Sequence, residues 1–327
     1  MARPDPPRLQ ESHANSPVVG VIYNPRSHRN QGKDLDFASR ENVHFAQPRD
    51  HAEIRSTLED FVERGIEYLI INGGDGTVRD VLTCGMGVFG DNWPAIAVLP
   101  KGKTNALNVD LGAPNGYNLI DAIDAYERGS RVLRRPLVVT PLDGGGTPLA
   151  GFILGTGGFT LGIQAGQDAH RMGAFNSLAV GVTAAWGVIQ ALFGSDANKW
   201  RRGSRMELLI GPGRTPLPHT GHGYEGRRAV MLASTLERFP VGLKLFGKHK
   251  TGLKITAMDR PRRALLAALP KILFAGPGEK AAARGLHQHA VETFEFAIED
   301  DFILDGEAFA GGHYRVDPGP ALRFVVP

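Results

Sequence analysis

The chain has 327 residues, more than one ordinary hydrophobic core holds, and this length predicts two domains. Apolar residues make up 42% and charged residues 22% of the sequence, which is typical of soluble globular proteins. The net charge of +3 gives no support to nucleic-acid binding. The single cysteine excludes an intramolecular disulfide framework and favours the cytoplasm.

The first part of the chain has the pattern of an α/β domain. Residues 1–17 are polar and rich in proline, which predicts a disordered tail. From residue 18 to about residue 135, short β-rich runs alternate with amphipathic stretches, which predicts three layers around a largely parallel sheet. Strands are predicted at Val18–Tyr23, Tyr68–Ile71 and Ala95–Leu99, and helices at Ala52–Arg64 and Val78–Cys84.

Residues 136–315 have a different character. Glycine-rich turns separate short apolar runs, which predicts an antiparallel, sandwich-like β domain with helical insertions near 175–193 and 261–275. The stretch 316–327 is strand-like and fits either domain. The longest apolar run, Leu178–Phe193, is too short and too mixed to span a bilayer.

The most informative motif is the turn Gly73-Gly74-Asp75-Gly76-Thr77, which directly follows a predicted buried strand. Ligands of open parallel sheets bind beyond the carboxyl ends of the strands. Glycines let the backbone approach phosphate oxygens, and the following helix N-terminus attracts anions. A carboxylate among phosphates implies a cation between them, so Asp75 predicts Mg²⁺. The alternative is a structural turn whose aspartate caps a helix.

Two further loops follow predicted strands of the same sheet. Asn24-Pro25-Arg26-Ser27 offers neutral hydrogen-bonding groups and one cation, although it also fits an ordinary β-turn. Leu99–Asn105, at the end of the predicted strand Ala95–Leu99, offers Lys103, Thr104 and Asn105. The predicted nucleotide-binding residues are Asn24, Arg26, Ser27, Gly73, Gly74, Asp75, Gly76, Thr77, Gly102, Lys103, Thr104 and Asn105.

The order of these motifs resembles the diacylglycerol kinase catalytic family, which includes bacterial lipid kinases, sphingosine kinases and ceramide kinases. The motifs are N-P-x-S, G-G-D-G-T and L-P-x-G-x-x-N, and the resemblance extends over most of residues 18–310. It implies an active site in the cleft between the two domains. In the family, a D-G-E turn from the second domain supplies carboxylates to this cleft, and here that turn is Asp305-Gly306-Glu307.

The resemblance implies a role for each acid of the two turns. Asp305 is the candidate base that assists attack of the acceptor hydroxyl on the γ-phosphate, and Glu307 is its metal or nucleotide partner. The predicted catalytic residues are thus Asp305, Glu307 and Asp75, and the predicted metal ligands are Asp75 and Glu307. The alternative for residues 305–307 is a plain hairpin turn with solvated acids.

The sequence departs from the family pattern at several positions. His28 stands where the family has glycine, and Lys103 stands where it has threonine. Asn105-Ala106-Leu107 is closer to sphingosine kinases than to diacylglycerol kinases. Bacterial members often hold a structural magnesium at D-G-x-x-D, and the corresponding Thr251–Ile255 lacks both acids, so no such ion is predicted. His287 and His289 are predicted to be surface residues without a metal.

The predicted function is ATP- and Mg²⁺-dependent phosphorylation of a lipid hydroxyl, on diacylglycerol or a sphingoid lipid such as ceramide. Because the acceptor lipid lies in a membrane, we expect a cytoplasmic protein that binds the membrane peripherally. The segment Ala174–Phe193 with the basic stretch Lys199–Arg205 fits membrane contact, or else a core helix and a solvated loop. The alternatives are an NAD kinase and an inactive nucleotide- or lipid-binding homologue.

Overall fold

A computed structural model describes residues 17–30, 41–158, 203–221, 226–260, 263–276 and 281–327. Residues 1–16 of the predicted N-terminal tail, the helical insertion near 175–193 and most of the predicted membrane-contact segment lie outside these ranges. Strands and helices are numbered below in chain order. Within the described part, no helix combines the length and the apolar character needed to cross a membrane.

The first sheet has six strands in the order β2-β1-β3-β4-β18-β5. Its strands are β1 (Val19–Tyr23), β2 (Val43–Ala46), β3 (Tyr68–Gly73), β4 (Ala95–Pro100), β5 (Ser130–Arg134) and β18 (Leu322–Val326). Its helices are α1 (His51–Glu63), α2 (Asp75–Phe89), α3 (Ala106–Leu111) and α4 (Leu119–Arg128). Five neighbouring strands of this sheet run parallel, namely β2, β1, β3, β4 and β18. The edge strand β5 pairs antiparallel with β18.

Helices cover both faces of this sheet because its central strands are apolar on both sides. In β3, Leu69 and Ile71 belong to one buried cluster, together with α1 and α2 residues. Tyr68 and Ile70 point the other way, into a second cluster that includes residues of α4. Alternate residues of a strand face opposite sides, so a continuous apolar run needs two covering layers. The predicted three-layer α/β architecture is confirmed.

The second sheet is antiparallel and curls around a core of its own. Its strands are β6 (Leu137–Pro141), β7 (Leu149–Gly151), β8 (Ile153–Gly157), β9 (Ser204–Ile210), β10 (Thr215–Pro216), β11 (Arg227–Ser234), β12 (Leu253–Asp259), β13 (Leu286–Val291), β14 (Phe294–Ile298), β15 (Phe302–Leu304), β16 (Glu307–Phe309) and β17 (Gly312–Pro318). Strands from distant parts of this sheet share one buried cluster. Helix α5 (Arg263–Ala275) lies where the second helical insertion was predicted. The predicted antiparallel β-rich second part is confirmed.

Helix α2 links the two sheets. Thr83 of α2 bonds to β7 through its hydroxyl, which accepts from the Ala150 amide at 3.0 Å. Ala150 and Phe152 are buried in the same cluster as Val81 and Leu82 of α2. The helix that begins at the glycine-rich turn is therefore packed against the second sheet, and this packing brings the two sets of predicted site residues together.

A buried charge cluster stabilises the second sheet and corrects one expectation. Asp259 is fully buried and accepts hydrogen bonds from His287 Nε2 and from the amides of Thr220 and Gly221, each at 2.9 Å. It also forms an ion pair with the buried Arg228. The prediction that His287 is a surface residue was wrong, because its ring is only 3% exposed and faces Asp259.

Replacing Asp259 by asparagine is expected to lower the free energy of unfolding by about 3–5 kcal/mol, because Arg228 would keep a buried, unpaired charge. Burial raises the pKa of Asp259, but the bonds from His287, Gly221 and Thr220 and the Arg228 charge outweigh it, and the net pKa is lowered. The stabilisation is therefore present above pH 3.8 and lost as the pH falls through the depressed pKa.

Urea unfolding at pH 7 and at pH 3 measures this effect. The matched control is Asp317→Asn, which breaks an exposed pair with Arg315 and is expected to cost less than about 1 kcal/mol. Equal losses for both variants would contradict a special role for the buried cluster.

Candidate functional site

The glycine-rich turn forms where β3 ends and α2 begins. Gly74 is the N-cap of α2, and Asp75 is its first residue. A Cβ on Gly73 would lie 2.5 Å from the Thr77 side chain, and a Cβ on Gly74 would lie 2.8 Å from the Gly102 Cα. Two loops therefore touch backbone to backbone, which leaves their N–H groups close together at the carboxyl edge of the sheet.

Gly74→Ala is expected to lower the free energy of unfolding by about 1–3 kcal/mol, because the added methyl meets rigid backbone. Gly76→Ala is the matched control within the same turn. Its Cβ would meet nothing nearer than the Arg79 guanidinium at 3.9 Å, so its stability should stay unchanged or rise slightly. Thermal unfolding of both variants distinguishes a crowded turn from general intolerance of substitution.

The Asn24–Ser27 loop lies beside this turn. Asn24 donates from Nδ2 to Thr77 Oγ1 at 2.8 Å, and its Oδ1 accepts from the Arg26 amide at 3.0 Å. The Ser27 amide donates to the Asn24 carbonyl at 3.1 Å. Arg26 donates from its guanidinium to the Arg49 carbonyl at 3.0 Å. The structure thus joins Asn24 to Thr77, whereas the exposed Arg26 bonds elsewhere.

The third loop closes the same edge. Asn105 adopts a left-handed conformation with φ of 50° and is buried. Its side chain accepts from the Gly102 amide at 2.8 Å and donates to the Gly102 carbonyl at 3.0 Å, which fixes the loop. Lys103 and Thr104 are exposed at its tip. The Lys101 amide donates to the Gly73 carbonyl at 3.3 Å, so all three predicted loops converge.

Asp75 has partners that the sequence did not reveal. Its carboxylate accepts hydrogen bonds from the backbone amides of Ala106, Leu107 and Asn105, at the start of α3. Burial raises the pKa of Asp75 by more than these bonds lower it. Asp75 therefore ties the glycine-rich turn to the third loop. The alternative prediction, that this aspartate caps a helix, holds in part. Asp75 accepts from amides at the start of α3, although it belongs to α2.

Asp305 reaches the same place from the second sheet. It lies in the turn between β15 and β16 with φ of 46°, and its two carboxylate oxygens accept from the amides of Phe152 at 2.9 Å and Ile153 at 2.8 Å. Gly151 makes room, because a Cβ there would lie 2.7 Å from Asp305 Oδ2. Burial and the neighbouring charge of Asp75 raise the pKa of Asp305 to about 7.

A buried arginine joins the two turns and was missed in the sequence. Arg79, only 4% exposed, forms ion pairs with Glu307 and with Asp80, the second at 2.7 Å. Its guanidinium also lies 5.6 Å from the centre of the Phe309 ring. Its spacing from Asp75 could have revealed it. The two residues are four positions apart on one helix, so they share the face that points to the site.

The acids fit a phosphate-bound magnesium only in part. Among the described residues, no group of three or more histidine, cysteine, aspartate or glutamate side chains could hold a metal ion alone. Magnesium at nucleotide sites commonly needs only one or two carboxylates plus phosphates. Asp75 and Asp305 repel each other electrostatically, and a cation would relieve this repulsion. The Glu307 carboxylate is bound by Arg79, so a metal contact there would require that ion pair to open.

The glycine-rich turn thus lies at the carboxyl edge of a largely parallel α/β sheet, which is where ligands of such folds bind. Residues 18–134 match the family model of the diacylglycerol kinase catalytic domain. The predicted resemblance to that family is confirmed over this part of the chain.

Curated relatives match a short stretch. The "Probable lipid kinase YegS" of Shigella flexneri is 28% identical over 76 residues, which is 23% of this chain and 25% of that protein. The protein of the same name from Escherichia coli O1:K1 / APEC gives the same identity and coverage. The match therefore spans about a quarter of the length of these relatives.

Solved structures resemble the whole fold. A structure described as a diacylglycerol kinase from Bacillus anthracis str. Sterne is similar over 95% of this chain and 97% of its own, with a TM-score of 0.61 and 16% identity. A structure described as a putative diacylglycerol kinase from the same strain has a TM-score of 0.61 and 15% identity at the same coverage. These likenesses confirm the predicted pairing of an α/β part with an antiparallel β part.

Proposed function

We propose that the protein is an ATP-dependent kinase that phosphorylates the hydroxyl group of a membrane lipid, either diacylglycerol or a sphingoid lipid such as ceramide. One observation carries the proposal: the glycine-rich turn of the first sheet and the D-G-E turn of the second sheet meet. Asp75 is close enough to Asp305 to raise its pKa, and Arg79 binds Glu307. The glycine-rich backbone that we propose binds phosphate and the candidate base Asp305 therefore lie close together.

Each part of this space has a role in the proposed reaction. The amides around Gly73–Thr77 and the α2 N-terminus bind phosphate oxygens, and the exposed Lys103 adds a cation. Asp305 removes the proton of the acceptor hydroxyl, for which a pKa of about 7 is well suited at neutral pH. Asp75 would hold Mg²⁺, and the ion would supply positive charge against the phosphates.

An acceptor panel tests the proposal directly. The protein is incubated with labelled ATP and Mg²⁺ together with diacylglycerol, ceramide, sphingosine or NAD, and the labelled product is identified. We expect label in at least one lipid, and expect Asp75→Ala to abolish it. Labelled NADP with no labelled lipid would replace the proposal by the NAD kinase alternative, and no product from any acceptor would favour an inactive homologue.

The proposed acceptor requires work at a membrane surface, so we propose a cytoplasmic protein that associates peripherally with the bilayer. Flotation of the protein with vesicles that contain the acceptor identified by the panel tests this location. Protein that stays at the bottom of the gradient under conditions of full activity would contradict it.

A further inference from the structure

The second sheet borders a cavity of about 1280 Å³ that none of the predicted site residues lines. It lies between the segment 237–251, the end of α5 and the start of β13. Among the described residues that line it, four are cationic and one, Glu237, is acidic, and the others are mainly apolar. The cavity is thus amphipathic, with separate features for an anion and for hydrocarbon.

The apolar wall is formed by aromatic and aliphatic side chains. The rings of Phe239 and Phe246 lie 5.5 Å apart and are 9% and 3% exposed. Leu286 is also buried, and Leu243 and Leu245, which line the same cavity, are half-buried. Leu243 and Leu245 keep exposed apolar surface, which a hydrocarbon chain would remove from water and a purely polar ligand would not.

The cations are concentrated on one short loop, residues 244–250. Lys244, Lys248 and Lys250 are exposed, and none of them forms an ion pair with a residue that the structure describes. Glu237 does have a partner, since Arg134 Nη2 lies 3.1 Å from its carboxylate. The field at the cavity mouth is therefore positive and favours an anionic group.

The 244–250 loop is held in place from several sides. The Lys244 amide donates to the Leu273 carbonyl of α5 at 2.6 Å. The Leu245 carbonyl accepts from Thr256 Oγ1 at 2.7 Å and from Gln288 Nε2 at 3.0 Å. Because its backbone is fixed, the loop presents its lysines at little further cost in backbone entropy.

We propose that this cavity binds one acidic phospholipid of the bilayer, with its acyl chain against the Phe239–Phe246 wall and its phosphate on the 244–250 loop. Phe274 lies next to the cavity-lining Ala275, and its side chain is 53% exposed. An exposed aromatic beside lysines is the arrangement that anchors proteins at an anionic membrane surface. The site lies outside the proposed catalytic cleft and does not rest on kinase activity.

Binding of a soluble short-chain lipid, dioctanoylphosphatidylglycerol, tests the proposal by calorimetry without ATP. The variant Lys244→Gln/Lys248→Gln/Lys250→Gln is expected to bind it about tenfold more weakly or worse. The matched control is Arg55→Gln/Arg128→Gln/Arg323→Gln, which removes the same charge from exposed residues outside the cavity and should bind like the parent protein. Leu243→Asp places a negative charge, of the same sign as the lipid phosphate, in the apolar wall. It should also weaken binding while leaving the lysines intact.

Three results would overturn the proposal. They are equal weakening by both triple variants, equal affinity for dioctanoylphosphatidylcholine, and displacement of the lipid by inorganic phosphate at the same concentration. The last would indicate a simple anion site without a lipid chain. Co-sedimentation with phosphatidylglycerol vesicles but not with phosphatidylcholine vesicles, lost in the lysine variant only, would support it.

Discussion

Replacing Asp305 by asparagine is expected to lower kcat by about 10²- to 10⁴-fold, the range usual for loss of a general base. Asparagine tolerates the left-handed backbone at this position and keeps the size of the side chain. It cannot remove a proton from the acceptor hydroxyl. Steady-state rates with the lipid identified by the acceptor panel measure the loss.

The pH dependence of the proposed activity in the unsubstituted protein gives a second test of Asp305. The pKa of Asp305 is about 7, so the active carboxylate form increases as the pH rises, and kcat/KM is expected to climb towards a plateau above pH 7. This pKa is raised above the unfolded value of 3.8, so the group contributes stability at low pH that is lost as the pH rises through 7. Both slopes should disappear in Asp305→Asn.

The interpretation of Asp305→Asn needs a control for local structure. The Asp305 carboxylate accepts from two backbone amides, and an asparagine NH₂ cannot accept, so one amide loses its partner at a cost of about 1–3 kcal/mol. Asp300→Asn, on an exposed residue before β15, is the matched variant and should keep full activity. A folded Asp305→Asn protein with near-parental kcat would rule out Asp305 as the base.

Local patterns in the sequence predicted the framework well. The apolar run of β3 and the glycines after it are short-range signals, and Gly73 and Gly74 each have a neighbour that excludes a larger residue. The strand β2 was missed because it is a four-residue edge strand with only one fully buried side chain, so it lacks a clear apolar pattern. The placement of the D-G-E turn beside the glycine-rich turn depends on β15 pairing with β8, which no local pattern encodes.

The errors and omissions have the same physical origin. His287 alternates with His289 as an exposed strand face would, but its neighbour Asp259 lies on another strand and buries it. Arg79 follows the glycine-rich turn like any helix cation, and its partner Glu307 comes from the other sheet. In both cases the role of a polar side chain is decided by a long-range contact, which spacing along the chain does not reveal.

Replacing Arg79 by alanine is expected to lower kcat/KM for ATP by about 10²-fold, comparable to the loss of one preorganised donor. It removes the cation from a site where Asp75, Asp80, Asp305 and Glu307 would then repel one another. The Arg79 charge also lowers the pKa of Asp305, so the pH profile of the variant should shift to higher pH. Lysine should restore the charge but not the simultaneous contact with two carboxylates.

A double-mutant cycle separates positioning from charge alone. If Arg79 acts by holding the D-G-E turn through its ion pair, Arg79→Ala combined with Glu307→Gln should be no worse than Arg79→Ala by itself. The exposed Arg128→Ala on α4 is the control and should behave as the parent. Additive losses, together with an unshifted pH profile, would show that Arg79 and Glu307 act separately. Non-additive losses with a shifted profile mean that the ion pair joins the two turns into one catalytic unit.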